Sequence, residues 1–163
     1  MATQSFSGSL PMMLYRALDV VMPRFRRIFN EFGLTEQQWR VLRVLWETEE
    51  IAFRELSDIT LIPAPSLVGV IDRLAKQRLV DRRRSETDRR NVFVFATNEG
   101  KALHRQVRPR VDEAYADLRG SIDETDWNQL IDSLERIASL AAEAPDNRPA
   151  VNQQKNRKIN HEH

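Results

Sequence analysis

The chain contains no cysteine. Disulfides, thiolate metal sites, cysteine nucleophiles and thiol-based redox sensing are therefore excluded. No apolar run approaches the roughly 20 residues that a membrane-spanning helix needs. The start, "MATQSFSGSLPMMLYR", has neither the basic lead nor the long apolar stretch of a secretory signal, so a cytoplasmic protein is expected. A phosphate-binding glycine loop is missing, and no histidine lies near a nucleophile and an acidic partner. The sequence therefore predicts neither an enzyme nor a bound cofactor. His161 and His163, with Glu162 between them, are too few for a metal site, which needs more ligands in a fixed geometry. An excess of one charge is missing too: 25 basic residues face 24 acidic ones, for a net charge of +1.

What is present is the composition of a folded domain with tails, 163 residues that are 41% hydrophobic and 30% charged. The small net charge hides an uneven distribution. From Arg73 to Arg90 there are eight basic residues and three acidic ones, so that window carries +5 and the remainder −4. Within it, "RRRSETDRR" at 82–90 puts five arginines into nine residues. Such a patch suggests contact with a polyanion. A solvated face is the plain alternative, and the local structure must decide between them.

Apolar spacing supplies that structure. Leu14, Leu18, Val21, Phe25, Ile28 and Phe32 recur at three and four and predict a helix. Ser7 or Ser9 suits its cap, Pro11 its first turn, and Gly33 its end, while Pro23 predicts a kink. Thr35 with Gln38 reads as a capping box for a second helix carrying Leu42, Leu45 and Trp46. "IAFRELSDIT" reads as a brief extended piece and a short helix with Leu56 and Ile59. The next helix starts near Pro65 and buries Leu67, Val70, Ile71 and Leu74. Its other face carries Ser66, Gly69, Arg73 and Lys76. "LVDRRRS" and "NVFVFAT" then read as the two strands of a hairpin with a charged tip. Thr97 caps a long helix with a stripe of Leu103, Val107, Val111, Ala114, Tyr115 and Leu118, bent at Pro109. Asp123 caps a last helix with Trp127, Leu130, Ile131, Leu134, Ile137 and Leu140. Residues 1–10 read as a flexible start, and 144–163 have too little to bury and read as a disordered tail.

The order predicts a mostly α fold with a small β-hairpin wing. It is a winged helix-turn-helix over about 34–97, between helices at about 11–33 and 98–143. A helix presenting small polar and basic side chains can enter the major groove of DNA. An arginine-bearing hairpin tip can reach the neighbouring minor groove. Double-stranded DNA is therefore the expected partner.

At these residues the sequence resembles the multiple antibiotic resistance regulator (MarR) family. "LVDRRRSETDRRNVFVFATNEGKAL" is similar to the family's wing pattern of Leu-Val-x-Arg, Asp-x-Arg, a strand and Leu-Thr-x-x-Gly. The resemblance covers roughly residues 12 to 143. Arg78 departs from it by standing where members commonly have glycine, and Ala96 by standing where they have leucine. "LTEQQWRVLRVL" and "PSLVGVIDRL" resemble the branch of repressors of homoprotocatechuate degradation. The resemblance implies a single domain over 11–143 and a homodimer held by the first and last two helices. It also implies a palindromic operator and a pocket for a small aromatic carboxylate or its thioester. An operon for aromatic catabolism would be the one repressed. The missing cysteine excludes thiol-based peroxide sensing. A DNA-architectural protein without effector and a winged helix used for protein contact are the competing readings.

Pro65, Ser66, Val68, Gly69 and Arg73 are assigned to the recognition helix, with local pairing to Asp72 or a phosphate contact as the alternatives for Arg73. In the wing, Asp88 and Arg90 match the Asp-x-Arg motif. Asp88 is expected to brace an arginine while Arg89 or Arg90 enters the minor groove. Arg82 and Arg84 alternate with Arg83, one side for phosphate and the other for solvent. For the effector the candidates are Arg16, Arg26, Arg40 and Arg43 as cations, Met22 and Trp39 as an apolar slot, and His104. Each has an ordinary surface or interface role as its alternative.

Overall fold

A computed structural model describes residues 6–85 and 91–143. Asp88, Arg89 and Arg90, with the rest of the wing tip, lie outside the described residues, as does the tail from 144. Among the described residues, six helices and three strands follow a short turn of 3-10 helix at Phe6–Gly8: α1 (Leu10–Glu31), α2 (Glu36–Leu45), β1 (Ile51–Ala52), α3 (Phe53–Thr60), α4 (Ala64–Lys76), β2 (Val80–Arg84), β3 (Val92–Ala96), α5 (Asn98–Gly120) and α6 (Glu124–Glu143). The chain divides into two compact units, the first ending at Leu118 and the second starting at Arg119.

In the first unit, local chemistry sets the helix ends. α1 continues through Pro23 and ends before Gly33, whose φ is 68°. Ser9 occupies the N-cap position, but its hydroxyl donates back to Phe6 O at 2.8 Å, so it does not cap the helix as expected. The capping box of α2 forms in full: Gln38 N donates to Thr35 Oγ1, and Thr35 N donates to Gln38 Oε1. Such a cap is worth about 1 kcal/mol. Thr97 caps α5 by accepting from Gly100 N, while its own hydroxyl donates to Arg78 O at 2.6 Å. Gly100 fits there because a Cβ would lie 2.1 Å from Leu79 O.

The expected hairpin is one part of a three-stranded antiparallel sheet in the order β1-β3-β2. β1 joins it by pairing Ile51 with Val94, and β2 pairs Val80 with Ala96 through to Arg84 with Val92. Pairing turned the extended "IA" piece into an edge strand, which a two-residue run cannot announce by alternation. The core lies between α2, α3, α4, the sheet, the second half of α1 and α5. Leu42, Leu56, Leu67, Val70, Ile71, Leu74, Val94 and Val107 are fully buried in it. Each such side chain contributes roughly 1.5–3 kcal/mol of transfer free energy.

The second unit contains α6. Asp123 caps it, accepting from Thr125 N at 2.8 Å. Arg119 and Glu124 form an ion pair at 3.0 Å. No residue of α6 from 124 to 140 is buried.

Candidate nucleic-acid interface

α4 separates its faces cleanly. Leu67, Val70, Ile71 and Leu74 are sealed in the core, and Pro65, Ser66, Arg73 and Lys76 are exposed on the other side. Pro65 is within the first turn, where its missing N–H costs nothing. Pro63 and Pro65 have no N–H, and Ser66 N and Leu67 N both donate to Pro63 O at 2.9 Å, so the basic side chains Arg73 and Lys76 of the last turn, and not the backbone of the first, carry the charge of this face. Val68 stands out at 44% exposure, and Gly69 is half-buried.

The sheet explains the arginines. Arg82 sits opposite Val94, and residues alternate faces along a strand, so Arg82 and Arg84 share a face with buried Val80 and Val94. From there Arg82 reaches Asp72 of α4 and forms an ion pair. This corrects the alternative reading of Asp72 as a partner for Arg73: the wing takes that carboxylate. Arg83 lies on the opposite face, opposite Phe93. Its Nε donates to Glu50 at 2.7 Å, and its guanidinium sits 5.1 Å from the Phe93 ring centroid. Arg82 and Arg84 thus alternate with Arg83 between the two faces, and Arg82 is braced to α4 while Arg83 is braced to Glu50. Each exposed pair is worth about 0.2–1 kcal/mol, enough to orient a strand. Arg73, Lys76 and Arg84 are exposed and have no carboxylate partner among the described residues. Sequence reasoning named Asp72 only as a partner for Arg73 and missed Glu50, because each carboxylate meets its arginine only after the sheet has formed.

A second group of candidates lies among α1, α2 and α5. Aromatic rings form a series across these helices. Phe25 meets Tyr115 at 4.8 Å, and Phe29 stacks on Trp39 at 4.6 Å. Trp39 meets Trp46 edge-on at 5.3 Å, and Trp46 stacks on His104 at 4.5 Å. The Trp46 indole N–H donates to Gly100 O at 2.9 Å. Burial holds the His104 pKa below its usual 6.5, and the Arg108 and Arg43 cations push it the same way; Asp112 and Glu47 oppose them. The structure thus brings Trp39, His104 and Arg43 into one neighbourhood. Met22 is half-buried against the same core, and Arg16 is exposed.

The other two arginines have structural partners. Arg26 donates to Glu36 at 2.9 Å, tying α1 to α2. Arg40 donates through Nη1 to Thr60 O at 2.9 Å and supports the end of α3, while its buried Nε has no partner among the described residues. Among the described residues Arg43 pairs with Glu47, four residues on and just past the end of α2. Tyr115, Phe25, Phe29 and Trp46 join the neighbourhood although the sequence showed them only as parts of apolar stripes or did not single them out.

Comparison with known proteins agrees with this architecture. Residues 32–91 match the MarR family model. The chain is 34% identical to the HTH-type transcriptional regulator FarR of Neisseria gonorrhoeae, over 86% of this chain and 96% of the relative. It is 32% identical to the homoprotocatechuate degradative operon repressor of Escherichia coli, over 89% of this chain and 98% of the relative. The crystal structure of NadR in complex with 4-hydroxyphenylacetate superposes with a TM-score of 0.73 at 36% identity, covering 85% of this chain and 98% of that one. On the fold, the interface and these similarities together, the chain belongs to the MarR family of winged helix-turn-helix transcriptional regulators.

Proposed function

We propose that the protein is a homodimeric repressor that binds a palindromic operator and is released by a small aromatic carboxylate or its thioester. It would act in the cytoplasm on an aromatic catabolism operon, as one functional domain over 11–143. The observation that carries DNA binding is the exposed basic face of α4, braced to the wing through Asp72 and Arg82. Pro65, Ser66, Val68, Gly69 and Arg73 meet the major groove, and Arg84 with Arg89 or Arg90 serves the wing. No helix among the described residues is long and apolar enough to cross a membrane.

Two further observations support the rest. Leu10, Met13 and Leu18 of α1, and separately Leu130, Ile137 and Leu140 of α6, are each at least 40% exposed, and each set is suited to packing against a second copy. NadR binds 4-hydroxyphenylacetate, and the Escherichia coli relative represses a homoprotocatechuate operon. Among the arginine candidates, Arg43 is best placed to hold a carboxylate. It lies beside the aromatic series, and its exposed pair with Glu47 is the kind worth only about 0.3–0.5 kcal/mol.

The test is to titrate hydroxyphenylacetate- and hydroxycinnamate-type acids and their thioesters against the preformed protein–DNA complex. Release is expected, and Arg43→Ala should blunt it while leaving DNA affinity intact. If no acid or thioester displaces DNA even at millimolar concentration, the effector assignment fails.

A further inference from the structure

The four buried residues of α4 fix which side faces outward. Given 3.6 residues per turn, the middle of that outward side falls at Pro65 and Lys76, with Gly69 on one flank of it and Asp72 on the other, and Arg73 one turn after Gly69. Nothing inside the chain requires glycine there. A Cβ would meet only the Arg73 guanidinium, at 3.8 Å, an ordinary contact. Its backbone is helical and outside the left-handed region. Glycine is nonetheless the poorest helix former after proline. A bare backbone on the outward side of a helix suits close approach by a group from outside the chain. Beside it, Val68 holds a branched apolar side chain in solvent. The apolar group presented in the major groove of DNA is the C5 methyl of thymine.

We propose that Val68 and Gly69 form a notch on α4 that seats the C5 methyl of one thymine in each operator half-site. Gly69 admits the methyl group, and Val68 packs against it. The inference rests on the reading above that α4 enters the major groove.

The test begins with duplexes selected from a random-sequence pool by the full-length protein. Each thymine of a selected duplex is then replaced by uracil, which removes only the methyl group. At one position per half-site the wild type should lose about fourfold in affinity, the worth of one buried methyl group. Val68→Ala should bind the thymine and uracil duplexes equally. Gly69→Ala should raise Tm by about 2–4 °C through helix propensity, yet weaken binding to the thymine duplex by about tenfold through overpacking. It should prefer the uracil duplex, reversing the wild-type order. A structural role for Gly69 predicts no such opposition between stability and affinity. If no thymine is sensitive to uracil replacement, or if both variants keep the wild-type preference, the notch is wrong while DNA binding stands. Failure to enrich any duplex overturns the DNA-binding reading and this one with it.

Discussion

α4 and α6 look alike as strings of letters and behave differently in the folded chain. Both repeat apolar residues at three and four. In α4 the stripe of Leu67, Val70, Ile71 and Leu74 is wholly buried by its own chain. In α6 the stripe of Trp127, Leu130, Ile131, Leu134, Ile137 and Leu140 contains no buried residue. Periodicity establishes that a helix has an apolar side; it does not say which surface covers it. α4 is therefore part of a self-sufficient core, and the apolar side of α6 is the one the proposed dimer would cover.

The largest test of that contrast is Leu130→Glu combined with Ile137→Glu. Placing two charges on a surface meant for burial should dissociate the dimer at micromolar concentration, with the fold of the winged helix retained. Sedimentation of the variant decides it, and a dimer that survives would remove α6 from the interface. The counterpart in α4 is Leu74→Ala. Loss of a fully buried leucine should cost about 2–5 kcal/mol in chemical denaturation, and the cost should not depend on protein concentration. A concentration-dependent loss would mean that α4, too, depends on a partner.

Smaller effects sharpen the same boundary. Arg78 follows α4 in the left-handed region, with φ at 59°, and this explains why glycine is common at that place in the family. Arg78→Gly should stabilise the winged helix by about 1 kcal/mol without changing dimer affinity, read as a shift of the denaturation midpoint at several concentrations. The smallest effect is one of pH. His104 is the only histidine before residue 161, and its folded pKa lies below 6.5. The unfolded chain therefore takes up the proton first as pH falls. Stability is fully present above 6.5 and declines as pH drops below it. His104→Gln should flatten that decline in a melting series, and an unchanged slope would show that His104 does not cause it.

Much of the site was legible because its signals are local. The Thr35–Gln38 capping box depends on residues three apart, and the stripe of α4 on residues three and four apart, so distant parts of the chain need not be known. The exposed placement of Ser66, Val68 and Arg73 follows from the same periodicity. The braces on the arginines were not legible. Asp72 is ten residues from Arg82, and Glu50 is 33 from Arg83. Arg26 and Arg40 stood out as candidate cations, yet Glu36 and the Thr60 carbonyl hold them in the fold.

The sequence by itself determined the order of elements, the faces of the helices and the DNA-binding class. Hydrophobic spacing, caps and a charged hairpin act over a few residues and survive most differences in packing. Only the tertiary structure decided that β1 joins the wing, which arginines are paired, and that six aromatic rings meet across three helices. Those outcomes depend on sheet register and on the approach of segments far apart in the chain. Register is a choice of relative position, and a shift of one residue would have turned Arg82 from Asp72 to the opposite face.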